Sequence, residues 1–354
     1  MRALFIPAYI DGLSYHSASI RFRAQWPAKY WPGADVYPNC AIPFGEYDAY
    51  VFQKAYLTDT PRRWMRALRL KGKLLAFDLC DADWEQSERH ERRLLDALEL
   101  CDFATCPTVA LEKWLSQWLP AYWISDRLDL DEFERLDNAG FDALLAKRRE
   151  ISEQNRCIWF GYSHNLGELD HIWPDLVEVL DRHDMPLTIL SDALSGKWED
   201  RMWGQGRQPQ FVEWTREGAN AVIAEHDFAL VPQRSQYKSG NRASTAWLLA
   251  VEPIESATGL QHRLEDDEGQ KLRYLSRWYM YERAFCDYDV RDSSRTWQSL
   301  VAQYLDARNG TKLAASLPDK ICFGPILPIP TIAATEAIVS SSPQNTSMSR
   351  SKVQ

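Results

Sequence analysis

Residues 227–254 read DFALVPQRSQYKSGNRASTAWLLAVEPI, and the punctuation of this stretch predicts a strand–loop–helix–strand unit. The apolar run Phe228-Ala229-Leu230-Val231 is short and stops at Pro232, as a buried parallel strand does. A polar loop follows. Asn241, a good N-cap residue, then opens a helical pattern through Ala243, Ala246, Trp247, Leu249 and Ala250. Pro253 is expected to close that helix before a second short strand. In an open α/β sheet, a loop at the carboxyl end of a strand faces the ligand crevice, and a helix start offers free N–H groups that favour anions. Lys238, Ser239, Gly240, Asn241 and Arg242 stand at that spot. Two cations, a small residue that lets backbone approach closely, and two polar side chains suit a diphosphate. Taken alone, the same five residues also suit a basic, solvated loop.

A strand ending in Val231-Pro232, then K-S-x-N-R, then a helix leading into a Pro-hydrophobic strand, resembles the donor-binding segment of glycosyltransferases with the GT-B fold. The resemblance implies an α/β protein of two Rossmann-like domains facing across a cleft, with the pyrophosphate of a nucleotide-sugar held by Lys238, Ser239, Asn241 and Arg242. Many retaining members carry two glutamates here, eight positions apart. The aligned positions of this chain hold Lys238 and Ala246, so the resemblance speaks for donor binding and leaves the stereochemistry open.

Upstream, Ala3 to Ile10 reads as a first buried strand, and Asp11-Gly12 turns the chain into the polar loop SYHSASIRFR. In the GT-B resemblance this loop lies at the inter-domain cleft, which marks Ser17, Ser19 and Arg21 as acceptor-side residues. His16 titrates near neutrality and is a candidate general base, or else a hydrogen-bonded loop histidine. Ala34 to Pro38, Tyr47 to Gln53, Leu74 to Leu79, Phe103 to Pro107 and Tyr122 to Asp126 are further strand candidates, with helical patterns between them. That alternation spells a doubly wound domain.

The strand at Leu74 delivers Asp78, Asp81 and Asp83 at its carboxyl end. Three readings are open. The carboxylates are ligands of Mg²⁺ or Mn²⁺, or caps of a helix running from Glu85 to Leu100, or, as the resemblance implies, an acceptor-side base supplied by Asp81 or Asp83. A nucleophilic Asp78 of the phosphatase kind is disfavoured, since Trp84-Glu85 follows the later aspartates. The stretch 62–73 places Arg62, Arg63, Arg66, Arg69, Lys71 and Lys73 on a helix with Trp64, Met65, Leu68 and Leu70. Such a helix either docks on anionic membrane or is a solvated, charge-rich face.

Residues 128–155 are strongly charged and read as a linker with a helix or two rather than a core element, between an acceptor-side domain at 1–127 and a nucleotide-sugar domain at 156–315. The second domain opens with the strand Cys157 to Gly161 and a helix from Leu166 to Arg182. Gly161, Ser163 and Asn165 match the G-x-x-x-N start of the donor domain in the resembling family. The Pro-, Ser- and Thr-rich tail at 316–354 is expected to be disordered.

At 354 residues with 45% hydrophobic and 26% charged residues, the composition is that of an ordinary globular protein long enough for two cores. A net charge of −9 argues against general affinity for nucleic acid. Seven scattered cysteines, an odd number with no CxxC pair, indicate neither a disulfide framework nor a zinc site and fit a reducing cytoplasm. The expectation is a cytoplasmic glycosyltransferase with no obligatory metal or cofactor, using a nucleotide-sugar as co-substrate and a carbohydrate or glycolipid as acceptor. A catalytically silent nucleotide-sugar or partner-binding protein is the rival, with transfer to nucleic acid a more distant one.

Overall fold

The computed structural model describes residues 1–8, 17–37, 46–194, 198, 208–232, 235–265 and 269–309. His16 and the tail at 316–354 lie outside the described residues.

The chain builds two parallel sheets. The first contains β1 (Ala3–Pro7), β2 (Ala34–Val36), β3 (Ala49–Gln53), β4 (Leu74–Asp78), β5 (Phe103–Cys106) and β6 (Ala121–Trp123), in the order β2-β1-β3-β4-β5-β6. The central strands are apolar because both faces are covered. Leu4, Ile6, Tyr50, Phe52, Leu75 and Phe77 pack under the helices Asp59–Leu70, Glu88–Leu98 and Val109–Leu115. Ala3, Phe5, Val51, Ala76 and Phe103 point the other way. The second sheet contains β7 (Cys157–Phe160), β8 (Leu187–Ser191), β9 (Gln210–Glu213), β10 (Phe228–Leu230) and β11 (Glu252–Ile254), in the order β11-β10-β7-β8-β9. Every pairing within both sheets is parallel.

In each sheet the strand order reverses once, between β1 and β3 in the first and between β7 and β10 in the second. The loops leaving neighbouring strands diverge there to opposite faces, which opens a crevice at the carboxyl ends. Gly161 and residues 235–240 both stand at the reversal of the second sheet.

Four expectations need correction. Gly240, not Asn241, is the cap of helix Asn241–Leu248, and no side chain caps that end. Pro253 lies inside β11 and does not end the helix; it is tolerated because β11 is an edge strand whose ladder has a free side. The helix instead ends in a Schellman motif, with Val251 N–H donating to Ala246 O, Ala250 N–H to Trp247 O, and Ala250 at φ 57°. The helix expected from Leu166 to Arg182 is broken into a 3₁₀ segment, Ser163–His171, and the helix Trp173–Arg182, whose start carries Pro174. Neither Asp81 nor Asp83 caps the helix expected from Glu85; it begins at Glu88 with Ser87 as its cap.

The segment read as a linker does more than connect. Its helix Asn138–Ile151 buries Phe141 among Trp247, Met280, Tyr281 and Phe285, and it buries Arg148 against the second sheet's helices. The last described helix, Val290–Arg308, returns to the first domain and lays Trp297, Leu300 and Val301 on the face formed by Phe5 and Phe103. The chain thus passes between the domains twice, and the two passes touch at a parallel bridge between Leu128 and Asp289.

Candidate functional site

Helix Asn241–Leu248 starts at the crevice with Gly240 as its cap, so no cap side chain bonds its first amides and, among the described residues, its positive end is open. Lys238 and Arg242 flank that end. Their side chains converge on Glu168, a residue that the sequence reading did not single out. Glu168 Oε1 lies 2.6 Å from Lys238 Nζ, and Arg242 Nη2 donates to Glu168 Oε2. Asn165 Oδ1 is a second acceptor for Lys238 Nζ, at 3.2 Å. Arg242 lies over the Trp159 ring at 5.8 Å, and its Nη1 is buried with no hydrogen-bond partner. A Cβ at position 161 would stand 3.2 Å from the Trp159 ring and 3.8 Å from Arg242 Nη1. Gly161 therefore leaves open the space beside the unpaired arm of the guanidinium.

Ser239 turns the other way. Its hydroxyl donates to Asp126 Oδ2 at 2.5 Å, and Asp126 Oδ1 in turn is 3.2 Å from Arg23 Nη1. Arg23 is 2% exposed and grips Asp78 through Nε at 3.1 Å and Nη2 at 2.6 Å, while Thr105 Oγ1 donates to Asp78 Oδ1 at 2.6 Å. A buried polar chain thus runs from the core of the first sheet to the basic loop of the second domain. Burial pushes the Asp126 carboxyl up from its ordinary range, opposed by Arg23 and by the Ser239 hydroxyl. Asp78 is wholly buried and saturated by these partners, so it has no free oxygen for a nucleophilic role.

In the first domain, Lys54 follows β3 and sits between two carboxylates, 2.7 Å from Asp81 Oδ2 and 3.1 Å from Asp83 Oδ1. Burial lowers the Lys54 pKa, but Cys80, Asp81 and Asp83 outweigh it and hold the ammonium well above its ordinary range. Asp83 is buried and also accepts from Tyr56 Oη at 2.9 Å; burial raises its pKa against the pull of Lys54. Asp81 is the more open of the pair, with 38% of its side chain exposed. The three aspartates do not converge as a metal cage, and no group of three His, Cys, Asp or Glu side chains does so among the described residues.

Ser17 caps the short helix Ala18–Ile20, its Oγ 3.2 Å from that of Ser19. Arg21 reaches over the second domain, 5.3 Å above the Trp214 ring and 5.7 Å from that of Trp26, and its buried Nε lacks a hydrogen-bond partner. Burial lowers its pKa, with Glu132 opposing. Ser163 contributes its backbone N–H, which donates to Asp192 Oδ1 at 2.7 Å. The structure thus brings Gly161, Asn165, Lys238 and Arg242 together, pairs Asp81 and Asp83 with Lys54 in the first domain, and turns Ser239 toward the first domain.

No protein-family model matches the chain, and no curated protein matches it in sequence. Solved structures do. HepE of Anabaena, in complex with UDP and glucose, superposes with a TM-score of 0.64 at 12% identity, covering 85% of this chain and 100% of that one. An α,α-trehalose-phosphate synthase (UDP-forming) from Burkholderia vietnamiensis gives 0.51 at 11% identity, over 73% of each chain. A putative UDP-N-acetylglucosamine 2-epimerase from Listeria monocytogenes gives 0.50 at 9% identity, over 88% of this chain and 98% of that one. At these identities the likeness establishes the fold, the GT-B arrangement of two Rossmann-like domains.

Proposed function

We propose that the protein is a glycosyltransferase that moves a sugar from a nucleotide-sugar donor, with Lys238, Arg242 and the open start of helix Asn241–Leu248 holding the donor's diphosphate. The observation that carries the reading is the pair of cations, Lys238 and Arg242, that flank a helix start capped only by Gly240 at the strand-order reversal of the second sheet and converge there on one carboxylate, Glu168. Its support from outside the chain is that HepE was solved with UDP and glucose on the same fold.

In this reading the leaving diphosphate gathers negative charge as the glycosidic bond breaks, and preorganised cations lower that barrier without reorganising. Those cations make a divalent metal dispensable. Gly161 admits the diphosphate beside Arg242, and Asn165 orients Lys238. The acceptor enters over Lys54, where Asp81, the more exposed carboxylate, takes the hydroxyl proton, while Asp83 and Tyr56 keep Lys54 in place. The acceptor is a carbohydrate or glycolipid, and the site of action is the cytoplasm.

Thermal-shift titration with a panel of nucleotide-sugars tests the donor, because a ligand that binds only the native state raises its stability. Arg242→Ala should weaken UDP binding roughly 10- to 150-fold, from the loss of a charge-assisted bond of about 1.5–3 kcal/mol. It should also lower the melting temperature, since Glu168 then keeps only one cation. Affinity is the deciding readout: unchanged binding would remove the diphosphate assignment. Donor binding with no turnover on any acceptor would leave the silent-binder rival standing, and activity lost in EDTA and restored by Mn²⁺ would overturn metal independence.

A further inference from the structure

Glu168 stands where the proposed function puts a ligand. Its side chain is 9% exposed, and its two oxygens engage different cations, Oε1 taking Lys238 and Oε2 taking Arg242. It reaches them from the 3₁₀ segment Ser163–His171, which also supplies Asn165 to the same Lys238 ammonium. A carboxylate that bridges two charged donors in this way presents the same partners as one phosphate group would. The fork of Arg242 is meanwhile only half used. Nη2 is on Glu168, while Nη1 is buried, unpartnered and beside Gly161.

We propose that Glu168 is a positioning residue that acts as a resident anion. It holds Lys238 and Arg242 in register while the site is empty, and an incoming diphosphate displaces it. The inference rests on the nucleotide-sugar reading above and adds a role that the reading does not require. Two consequences follow from charge. With Glu168 in place the trio carries one net positive charge instead of two, so the attraction for a nucleoside diphosphate is reduced. The same carboxylate returns to the cations as product departs, which speeds release of the nucleoside diphosphate and limits product inhibition. A carboxylate that served only to support the fold would do neither, because its removal would loosen the cations and weaken binding.

The test is calorimetric titration of the whole chain with UDP and, separately, with inorganic pyrophosphate, for wild type and Glu168→Gln. Gln keeps the shape, removes the charge, and is expected to bind both probes about tenfold tighter, equivalent to about 1.4 kcal/mol. Inhibition of turnover by UDP should strengthen in parallel. Wild type that binds UDP while a folded Glu168→Gln binds it equally or more weakly overturns the inference and leaves the nucleotide-sugar reading intact. Neither protein taking up UDP or pyrophosphate would overturn both. Should the Gln variant fail to fold, Glu168→Asp decides: one carbon shorter, it reaches one cation at a time and should bind UDP about threefold tighter, whereas unchanged or weaker binding counts against the resident anion.

Discussion

Two buried basic side chains, His226 in the second domain and Arg148 in the segment between the domains, have pKa values lowered by burial, and each has a structural role. His226 is 1% exposed, with Nδ1 2.8 Å from Val222 O and Nε2 2.7 Å from Thr188 Oγ1. The first contact requires a proton on Nδ1, and in the neutral ring Nε2 then accepts from the Thr188 hydroxyl. Burial, helped by Arg156, lowers its pKa to about 4. The unfolded chain binds this proton near pH 6.5 and the folded chain does not, so stability is present at neutral pH and is lost as pH falls from about 6.5 toward 4. From pH 7 to pH 5 the loss from this group should be roughly 2 kcal/mol, and it should vanish in a His226→Asn variant. Urea denaturation at the two pH values measures it; the same pH slope in both proteins would show that other groups carry the dependence.

Arg148 is the second such residue, and its role belongs to the elements around it. Among the described residues no carboxylate hydrogen-bonds to it. Its guanidinium donates to the carbonyls of Ala224, Leu249 and Ala250, at 2.8, 2.9 and 2.8 Å. These carbonyls lie at the ends of helices Ala219–Ala224 and Asn241–Leu248, where the helix dipole is negative and the last oxygens lack partners. One cation from the interdomain segment thus pins the far end of the helix whose start forms the proposed anion site. Burial lowers the pKa of Arg148 to about 9, with Arg277 adding to the effect. Arg148→Met, which leaves the carbonyls buried and unpaired, should destabilise the protein by roughly 2–4 kcal/mol. A melting temperature within a degree of wild type would disprove the capping role.

The basic helix Asp59–Leu70 is narrower as a docking face than its sequence implies. Arg62 is committed to Asp59 and to Asp96 at 2.7 Å, and Arg69 donates to Glu99 O at 3.0 Å. Arg63 and Arg66 remain exposed beside Leu70, which is 90% exposed. If this face meets anionic membrane, each exposed arginine contributes about 1 kcal/mol, and Arg63→Gln with Arg66→Gln should lower retention on phosphatidylserine vesicles at low salt about tenfold or more. Equal retention on neutral and anionic vesicles would eliminate the surface.

At the scale of the molecule, the two domains share their covering layers. Trp297, near the end of the described chain, is wholly buried against β1 and β5, 5.5 Å from Phe5 and 6.4 Å from Phe103. Arg308 completes the attachment with Asp102 at 2.6 Å and Gly72 O at 2.8 Å. Trp297→Ala should therefore cost about 3–5 kcal/mol, and the loss of hydrogen-exchange protection should concentrate in β1 and β5. Loss centred on β7 and β10 would mean that the helix Val290–Arg308 does not stabilise the first domain in this way.

The alternation of short apolar runs with helical patterns was enough to place the strands and the α/β class, because a parallel strand covered on both faces must be apolar along its length and the period is local information. Composition at Lys238–Arg242 was likewise enough to nominate an anion site at a strand end. What no local pattern carries is who partners whom. Glu168 sits within an apolar-polar sequence that reads as ordinary helix, Arg23 as one of several loop cations and Arg148 as part of a charged linker; each acquires its role from a partner tens of residues away or more. Asp78, Asp81 and Asp83 read as one carboxylate cluster, yet Arg23 claims the first and Lys54 the other two, since a buried charge is stable only beside its counter-charge. The residue types were legible in the chain, and the pairing of charges such as Lys54 with Asp81 and Arg23 with Asp126, 27 and 103 positions apart, was decided only by the tertiary packing.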